Sequence, residues 1–254
     1  MLLTVDVGNT NVKLGLFENS KLRAHWHIST YLEKMPDEYG LQIIGLLNHI
    51  HCKPAEIEGV CIASVVAPLT GRVEKACRDY LNAKPLLLDV GMKTGITILY
   101  ENPQAVGIDR ISDAVAVSKL YGGPACIIDF GTATTFNALT AKNEYLGGAI
   151  TAGIGIAAEA LYQRTSKLTR VDLRKPPFAI GRNTVHAMQS GLFFGYVGLV
   201  EGMVARFRKE LGKDMKVIAT GGLAEILANE TTVIQTINPF LTLEGIRMIW
   251  EMNQ

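Results

Sequence analysis

LLTVDVGNTNVK, residues 2–13, is the stretch that decides the fold of this chain. Its first five residues have the pattern of a buried strand, and Asp6-x-Gly8 ends that strand with a carboxylate and a tight turn. A glycine at position 8 lets backbone N–H groups and the polar side chains of Asn9 and Thr10 approach a phosphate without an intervening Cβ. One such turn is a weak signal, because short Asp-x-Gly turns also end ordinary strands.

The same pattern occurs a second time. DFGTATT, residues 129–135, follows another apolar run and again gives Asp, any residue, Gly and then hydroxyl side chains. Each aspartate would hold a cation or its water shell, because a carboxylate cannot face phosphate directly. A third glycine turn, Thr220-Gly221-Gly222, fits either the close approach of a nucleoside or a plain strand-to-helix connection.

Hydrophobic periodicity predicts an α/β chain whose two halves have the same element order. Predicted strands are Leu2–Asp6, Val12–Phe17, Leu22–Ile28, Gly59–Ser64, Leu86–Leu88, Ile96–Leu99, Ala125–Asp129, Thr134–Leu139, Tyr145–Ile150, Lys216–Ala219 and Val233–Thr236. Predicted helices are Pro36–Ile50, Ala67–Leu81, Val106–Tyr121, Gly155–Gln163, Asn183–Leu211, Leu223–Ala228 and Leu241–Met252. Two phosphate-type turns that open two matching halves are much harder to explain as ordinary turns than one.

Composition and charge narrow the class of protein. The 254 residues carry 25 Lys+Arg and 24 Asp+Glu, a net charge of +1 without a basic stripe, which argues against a nucleic-acid partner. The longest stretch without a charged side chain, residues 183–200, contains several polar residues, so we expect no membrane span. The N-terminus lacks the features of a secretory signal, and the four cysteines form no CxxC pair, so a cytoplasmic location is expected.

Further motifs give the chain a family resemblance. Tyr100-Glu-Asn-Pro103, Gly107-Ile-Asp-Arg110, Gly147-Gly-Ala-Ile150 and Gly181-Arg-Asn-Thr184 occur in order between the two phosphate-type turns and beyond them. Together with DVGNTNVK and DFGTATT they resemble type III pantothenate kinases, within the acetate and sugar kinase, heat-shock chaperone and actin superfamily. Two positions depart from the family pattern: Ala152 and Thr169 stand where prolines are common.

The resemblance implies a duplicated ribonuclease H-like (actin-like ATPase) fold. It would consist of two βββαβαβ-type halves, residues 1–120 and 121–254, with the nucleotide cleft between them. The implied reaction is ATP-dependent phosphorylation of the primary hydroxyl of pantothenate, the first step towards coenzyme A, with Mg²⁺ and a monovalent cation, K⁺ or NH₄⁺. The implied ATP-binding residues are Asp6, Val7, Gly8, Asn9, Thr10, Asn11, Val12, Lys13 and Thr132. The implied pantothenate-binding residues are Tyr100, Gly107, Ile108, Asp109, Arg110 and Thr184, and Asp129 would ligate the monovalent cation.

Asp109 is the candidate catalytic residue, since a hydroxyl acceptor must pass its proton to a base. Arg110 could face the substrate carboxylate or the transferring phosphoryl group, and the sequence leaves both open. Without the other motifs, the pair would be interpreted as an exposed helix start with an N-terminal aspartate. Thr184 could likewise be a helix cap, a role that Asn183 could also fill.

Two other function classes stay in view. A non-catalytic nucleotide-binding regulatory or accessory protein could share the fold, although Asp109 and both turns favour catalysis. A chaperone-like or actin-like ATPase would need extra domains for a peptide or filament interface. A zinc site at His25/His27 or His49/His51 is disfavoured, because no third ligand is evident.

The long helix predicted from Asn183 also predicts a homodimer. A helix with apolar residues on more than one face needs two covering surfaces, and a second subunit would supply one of them. Phe193 and Tyr196 are therefore expected at the interface, with Thr184 touching pantothenate bound mainly by the partner chain. The apolar residues are Val185, Ala187, Met188, Leu192, Phe193, Tyr196, Val197 and Val200, and Gly191, Gly195 and Gly198 permit close approach.

Overall fold

The computed structural model describes all 254 residues, and the chain folds as two compact units. The first unit comprises residues 1–119 and 240–254, and the second comprises residues 120–239. This differs from the predicted halves at the C-terminus, where residues 240–254 lie in the first unit. The reason is helix α7 (Leu241–Met252), whose apolar residues are buried as it packs on strands of the first sheet.

The first unit begins with three strands where the sequence predicts them, and their pairing is antiparallel. Its sheet has the order β3-β2-β1-β4-β5, with β1–β2 and β2–β3 antiparallel and β1–β4 and β4–β5 parallel. The elements are β1 (Leu2–Val7), β2 (Asn11–Glu18), β3 (Lys21–Ser29), α1 (Pro36–His49), β4 (Gly59–Ser64), α2 (Ala67–Leu81), β5 (Leu86–Leu87), β6 (Thr97–Ile98), α3 (Ile108–Leu120) and α7. Short 3₁₀ turns span Pro54–Glu56 and Pro103–Ala105.

Strands β1 and β4 are apolar along their length because both faces of the sheet are covered. All six residues of β1 are buried, as expected for a strand with a layer on each side. Residues of α1 and α2 join β1, β2 and β4 in one hydrophobic cluster, and α7 packs on the same three strands.

The second unit repeats the arrangement of the first. Its sheet runs β9-β8-β7-β10-β11, again three antiparallel strands followed by two parallel ones. The elements are β7 (Ala125–Phe130), β8 (Ala133–Leu139), β9 (Glu144–Ala152), α4 (Ile154–Arg164), α5 (Thr184–Leu211), β10 (Lys216–Thr220), α6 (Ala224–Ala228) and β11 (Thr236–Ile237). The prediction of two matching halves is therefore confirmed at the level of strand order.

The sequence prediction was also wrong at the last strand. Val233–Thr236 was expected, but β11 covers only Thr236–Ile237. Upstream of it the Gln235 side chain takes the place of a strand carbonyl, since its Oε1 accepts a hydrogen bond from Val217 N at 2.8 Å. Val233 and Ile234 pack against the core of the unit instead, which explains their apolar character.

Helix α5 presents two different faces. One face is buried in its own unit and includes Leu192, Phe193 and Tyr196, so the last two do not lie on an open surface as predicted. The opposite face carries Gly191, Gly195 and Gly198, which are exposed and have open space where a Cβ would lie. No helix in the structure, α5 included, is long and apolar enough to cross a membrane.

Candidate functional site

The first phosphate-type turn links β1 and β2. Asp6 is buried at the end of β1 and pairs in register with Lys13, whose Nζ lies 3.4 Å from Asp6 Oδ2. Gly8 N donates to Asn11 O at 3.1 Å, and a Cβ on Gly8 would come within 3.0 Å of the same oxygen. Val7 and Val12 anchor the turn in the core, while Asn9 and Thr10 are exposed at its tip. The turn can thus present polar groups outward from a fixed base.

Thr30, directly after β3, holds this turn from the side. Its Oγ1 donates to Gly8 O at 2.7 Å, and its N donates to Thr10 O at 2.9 Å. Sequence reasoning missed this residue. The register of the β2–β3 hairpin, in which Asn11 pairs with Ser29, is the signal that could have found it.

The candidate base lies in the first turn of α3. Asp109 is half-buried, and its Oδ1 accepts a hydrogen bond from Arg110 N at 2.8 Å. Gly107 is next to it in space, because a Cβ at position 107 would overlap Asp109 Oδ1. Ile108 and Arg110 are buried, at 6 % and 8 % exposure, so the alternative of an exposed charged pair at a helix start is wrong for Arg110.

Gly107 and the first turn belong to the same edge of the first sheet. Val65, just after β4, donates its N–H to Val7 O at 3.1 Å. The side chain of Val65 also lies 3.5 Å from where a Cβ on Gly107 would be. The carboxyl ends of β1 and β4 therefore bring the Gly107 segment alongside the phosphate-type turn. Tyr100, in the same unit, is half-buried ahead of the 3₁₀ turn Pro103–Ala105.

In the second unit, Asp129 lies between two glycines. A Cβ on Gly131 would come 3.3 Å from Asp129 Oδ2, and one on Gly221 would come 2.5 Å from Asp129 Oδ1. Gly221 also has φ +91°, a conformation that other residues adopt only with strain. Parallel pairing of Thr220 with Asp129 brings these parts of the chain together. The glycines leave the carboxylate room that any side chain would fill.

The start of α4 contacts the second turn. Gly153 N donates to Thr132 O at 3.0 Å, and a Cβ on Gly153 would overlap that oxygen. Thr132 itself is exposed, near the positive end of the α4 dipole, where an anion would be stabilised. Ala152, one of the departures from the family pattern, is held there by a 2.6 Å hydrogen bond from Tyr196 Oη to its carbonyl.

Thr184 is the first residue of α5 and is exposed. The helix is capped by Asn183, whose Oδ1 accepts a hydrogen bond from His186 N at 2.8 Å. Capping by the side chain of Asn183 leaves the Thr184 hydroxyl available for another role. Thr169, the second departure, lies in the irregular segment between α4 and α5.

The histidine pair on β3 lies beside other rings. The His25 and His27 ring centroids are 6.2 Å apart, and the His25 ring lies tilted against that of Phe240 with the centroids 4.5 Å apart. Burial lowers the pKa of His27 below its usual range, and the neighbouring charges of Lys13 and His25 lower it further. No group of three or more His, Cys, Asp or Glu side chains is arranged to hold a metal ion.

Comparison with known proteins gives matches along most or all of the chain. The family model for type III pantothenate kinase matches residues 2–206. A relative named type III pantothenate kinase, from Roseiflexus sp. (strain RS-1), is 48 % identical over 254 residues, covering 100 % of both chains.

Two solved structures show the fold alone. A protein proposed to be a Baf family transcriptional activator, from Campylobacter jejuni, aligns with a TM-score of 0.62 and 20 % identity over 99 % of this chain and 98 % of that one. Component A of (R)-2-hydroxyglutaryl-CoA dehydratase from Acidaminococcus fermentans gives 0.52 and 13 % over 100 % and 99 %. The predicted α/β fold of the actin-like ATPases is confirmed.

Proposed function

The chain belongs to the type III pantothenate kinase family, and on that premise we propose which of its residues carry out each part of the reaction. The activity itself is the phosphorylation of pantothenate by ATP in coenzyme A biosynthesis. The observation that carries the proposal is that the two Asp-x-Gly turns occupy equivalent places, between the first and second strands of two sheets with the same strand order.

ATP binding is assigned to Asp6–Lys13 and to Thr132. Exposed polar groups at Asn9 and Thr10, above a glycine that lacks a Cβ, suit close approach of phosphate oxygens. Lys13, held by Asp6, supplies a positive charge beside the turn. The kinase family implies a divalent metal, Mg²⁺, which neutralises phosphate charge when bound. The buried Asp6 carboxylate fits a role in holding the metal or its water shell.

Asp109 accepts the proton of the pantothenate hydroxyl. Its Oδ1 is already engaged by Arg110 N, so we assign Oδ2 to the substrate hydroxyl. A carboxylate is a weak base towards an alcohol, and it therefore takes the proton late, after the bond between oxygen and phosphorus has begun to form. Since phosphoryl transfer needs little covalent help from the protein, the rest of the site chiefly positions the substrates.

Pantothenate is held by the segment Gly107–Arg110 together with Tyr100 of the first unit. The close approach of Gly107 to Asp109 supports a compact binding surface at the start of α3. Arg110, with its side chain largely buried, contributes a fixed positive charge near an anionic substrate.

Asp129 ligates a monovalent cation, K⁺ or NH₄⁺. Support comes from the position of its carboxylate at the second turn, where Gly131 and Gly221 allow both carboxylate oxygens to lie close to the backbone. A cation there would offset triphosphate charge beside the second turn, where a bare carboxylate would repel phosphate.

The working unit is a homodimer in which the exposed face of α5 meets the same face of a second copy. Gly191, Gly195 and Gly198 form a stripe that allows two backbones to approach closely. Phe178 and Ile180, in the segment that precedes this helix, are 71 % and 82 % exposed, and apolar side chains this exposed are typical of a surface that a partner covers. Thr184 then reaches the pantothenate bound by the other copy.

The protein acts in the cytoplasm. All four cysteines are unpaired and buried, as suits a reducing compartment. Burial raises the pKa of the Cys77 and Cys126 thiols to about 12, so these thiols are poor nucleophiles.

The deciding experiment measures ADP release with and without pantothenate. We expect turnover that requires pantothenate and yields a phosphorylated product of matching amount. ATP hydrolysis independent of pantothenate would instead favour an ATPase of the chaperone type. Nucleotide binding without any turnover would favour the non-catalytic accessory function.

A further inference from the structure

The position of Asp109 depends on how helix α3 is fixed in the first unit. Nearly every residue from Ile108 to Val117 is buried, so α3 is enclosed on most sides. Apolar packing does not define the position of a helix along its axis as sharply as hydrogen bonds and close backbone contacts do. Two polar or backbone contacts of this kind join α3 to α7.

The first is a buried hydrogen bond. Thr242 Oγ1 donates to Asp113 Oδ1 at 2.8 Å, and the two residues are 4 % and 1 % exposed. Asp113 lies one helical turn after Asp109 on the same face of α3, because residues four apart on a helix are neighbours. A shift of Asp113 along the helix axis therefore moves Asp109 with it.

The second is a close backbone contact. A Cβ on Gly245 would overlap the carbonyl oxygen of Ser112, so only glycine lets the two helices cross at this distance. The Ser112 hydroxyl in turn donates to Ile108 O at 2.8 Å, within the turn that carries Asp109. Ser112 therefore links Gly245 of α7 to the first turn of α3.

Helix α7 is also anchored to the strands that carry the first phosphate-type turn. It packs on β1, β2 and β4, and a Cβ on Gly15 of β2 would lie 3.1 Å from Leu243 Cδ1. The Cys61 thiol of β4 contacts Ile246 O at 3.7 Å. One helix therefore contacts both the strands that lead to the turn and the helix that carries the base.

We propose that Thr242 and Gly245, acting through Asp113 and Ser112, are positioning residues that set the place of Asp109 relative to the first phosphate-type turn. This inference rests on the proposed function of Asp109 as the base. A misplacement of about 1 Å can cost on the order of a hundredfold in rate. Loss of these positioning contacts is therefore expected to lower kcat more than it weakens substrate binding.

The test compares Thr242→Val with Thr242→Ser. Valine keeps the shape of threonine but removes the donor to Asp113, and serine keeps the donor. We expect kcat to fall about tenfold or more in the valine variant, with the KM for ATP changed less than about twofold, and serine to restore most of kcat. Ile249→Val, a buried change elsewhere on α7, is the control for simple loss of stability and is expected to keep kcat.

Wild-type kcat in Thr242→Val, or an equal loss in Ile249→Val, would overturn the positioning role. A second arm adds Thr242→Val to Asp109→Asn. If Thr242 acts through Asp109, the double variant is no slower than Asp109→Asn alone, whereas a further loss of the same size would contradict the proposal. Near-wild-type turnover of Asp109→Asn would overturn the proposed function and the positioning role together. A large loss there without one in Thr242→Val overturns only the latter.

Discussion

Glycines lie directly against two of the three aspartates to which we assign roles, Asp109 and Asp129. Gly107 leaves room for the Asp109 carboxylate, and Gly131 and Gly221 leave room for that of Asp129. In each case the missing Cβ allows a charged group to lie against the backbone, where a larger residue would displace it. The motif glycines therefore act by leaving space for the carboxylates as well as by forming turns.

Replacement of Asp109 by Asn should preserve the fold and ATP binding while removing the proton acceptor. Turnover is expected to fall roughly a hundredfold or more, the usual size of a lost acid–base contribution. Steady-state kinetics and ATP titration of the same preparation check both parts. Turnover within a few-fold of the wild type would rule out the catalytic role.

Gly107→Ala tests the space beside Asp109. The new Cβ would overlap Asp109 Oδ1, so the carboxylate must rotate and give up its hydrogen bond from Arg110 N. We expect kcat to fall about tenfold or more through misplacement of the base. Gly71→Ala, at a helical site with open space, is the matched control and should keep wild-type kcat. Equal kcat in both variants would contradict the role of Gly107.

The nature of the monovalent cation can be tested at fixed ionic strength. Activity should depend on K⁺ or NH₄⁺ and be poor in Na⁺, and Asp129→Asn should remove this dependence by removing the ligand. ADP is best measured directly by chromatography, so that no coupling enzyme responds to the cation. Equal wild-type rates in Na⁺ and K⁺ would exclude the proposed site.

At the scale of elements, regular periodicity was enough to predict most of the fold. Strand β4 and helices α2 and α7 have the predicted bounds, because each has an uninterrupted hydrophobic pattern. Strand β11 was misplaced since a side-chain amide, Gln235, replaces part of its ladder. Pairing between distant residues is the part that no local pattern contains: Thr242 and Asp113 are 129 positions apart. The motifs of the candidate site could therefore be predicted from the sequence, whereas the distant contacts that hold them in place could not.

Two glycines of helix α1 are predicted to change the stability of the protein in opposite directions when each is replaced by alanine. Gly45 is exposed with open space around it, so Gly45→Ala should stabilise the protein by about 0.5–1 kcal/mol through helix propensity. Gly40→Ala should destabilise it by about 1–3 kcal/mol, because its Cβ would overlap the Tyr80 ring of α2. Thermal or denaturant unfolding of the two variants checks the signs. Two changes of the same sign would refute the packing argument.

At the scale of the whole molecule, the chain consists of two units with the same strand order, and one helix departs from this duplication. Each unit builds the same order of strands, yet α7, the last helix, completes the first unit instead of the second. The apolar residues of α7 are buried where it packs on the first sheet. A division of the sequence into two consecutive halves does not indicate that the last helix belongs to the first unit. Helix α5 differs in having an exposed face of small residues, which we interpret as the surface for a second copy.

Gly195→Arg on this face should yield a folded monomer with little pantothenate turnover. The arginine has open space within one chain, so the unit can fold, but it would fill the gap that two approaching helices need and place like charges opposite each other. Phe193→Asp is unsuitable as a test, because Phe193 is buried in its own core and its loss would unfold the unit. Gly71→Arg, on an open helical face of the other unit, is the control and should stay dimeric and active. Analytical ultracentrifugation with parallel assays checks the outcome. The dimer is excluded if the wild-type protein sediments as a monomer at concentrations where it is fully active.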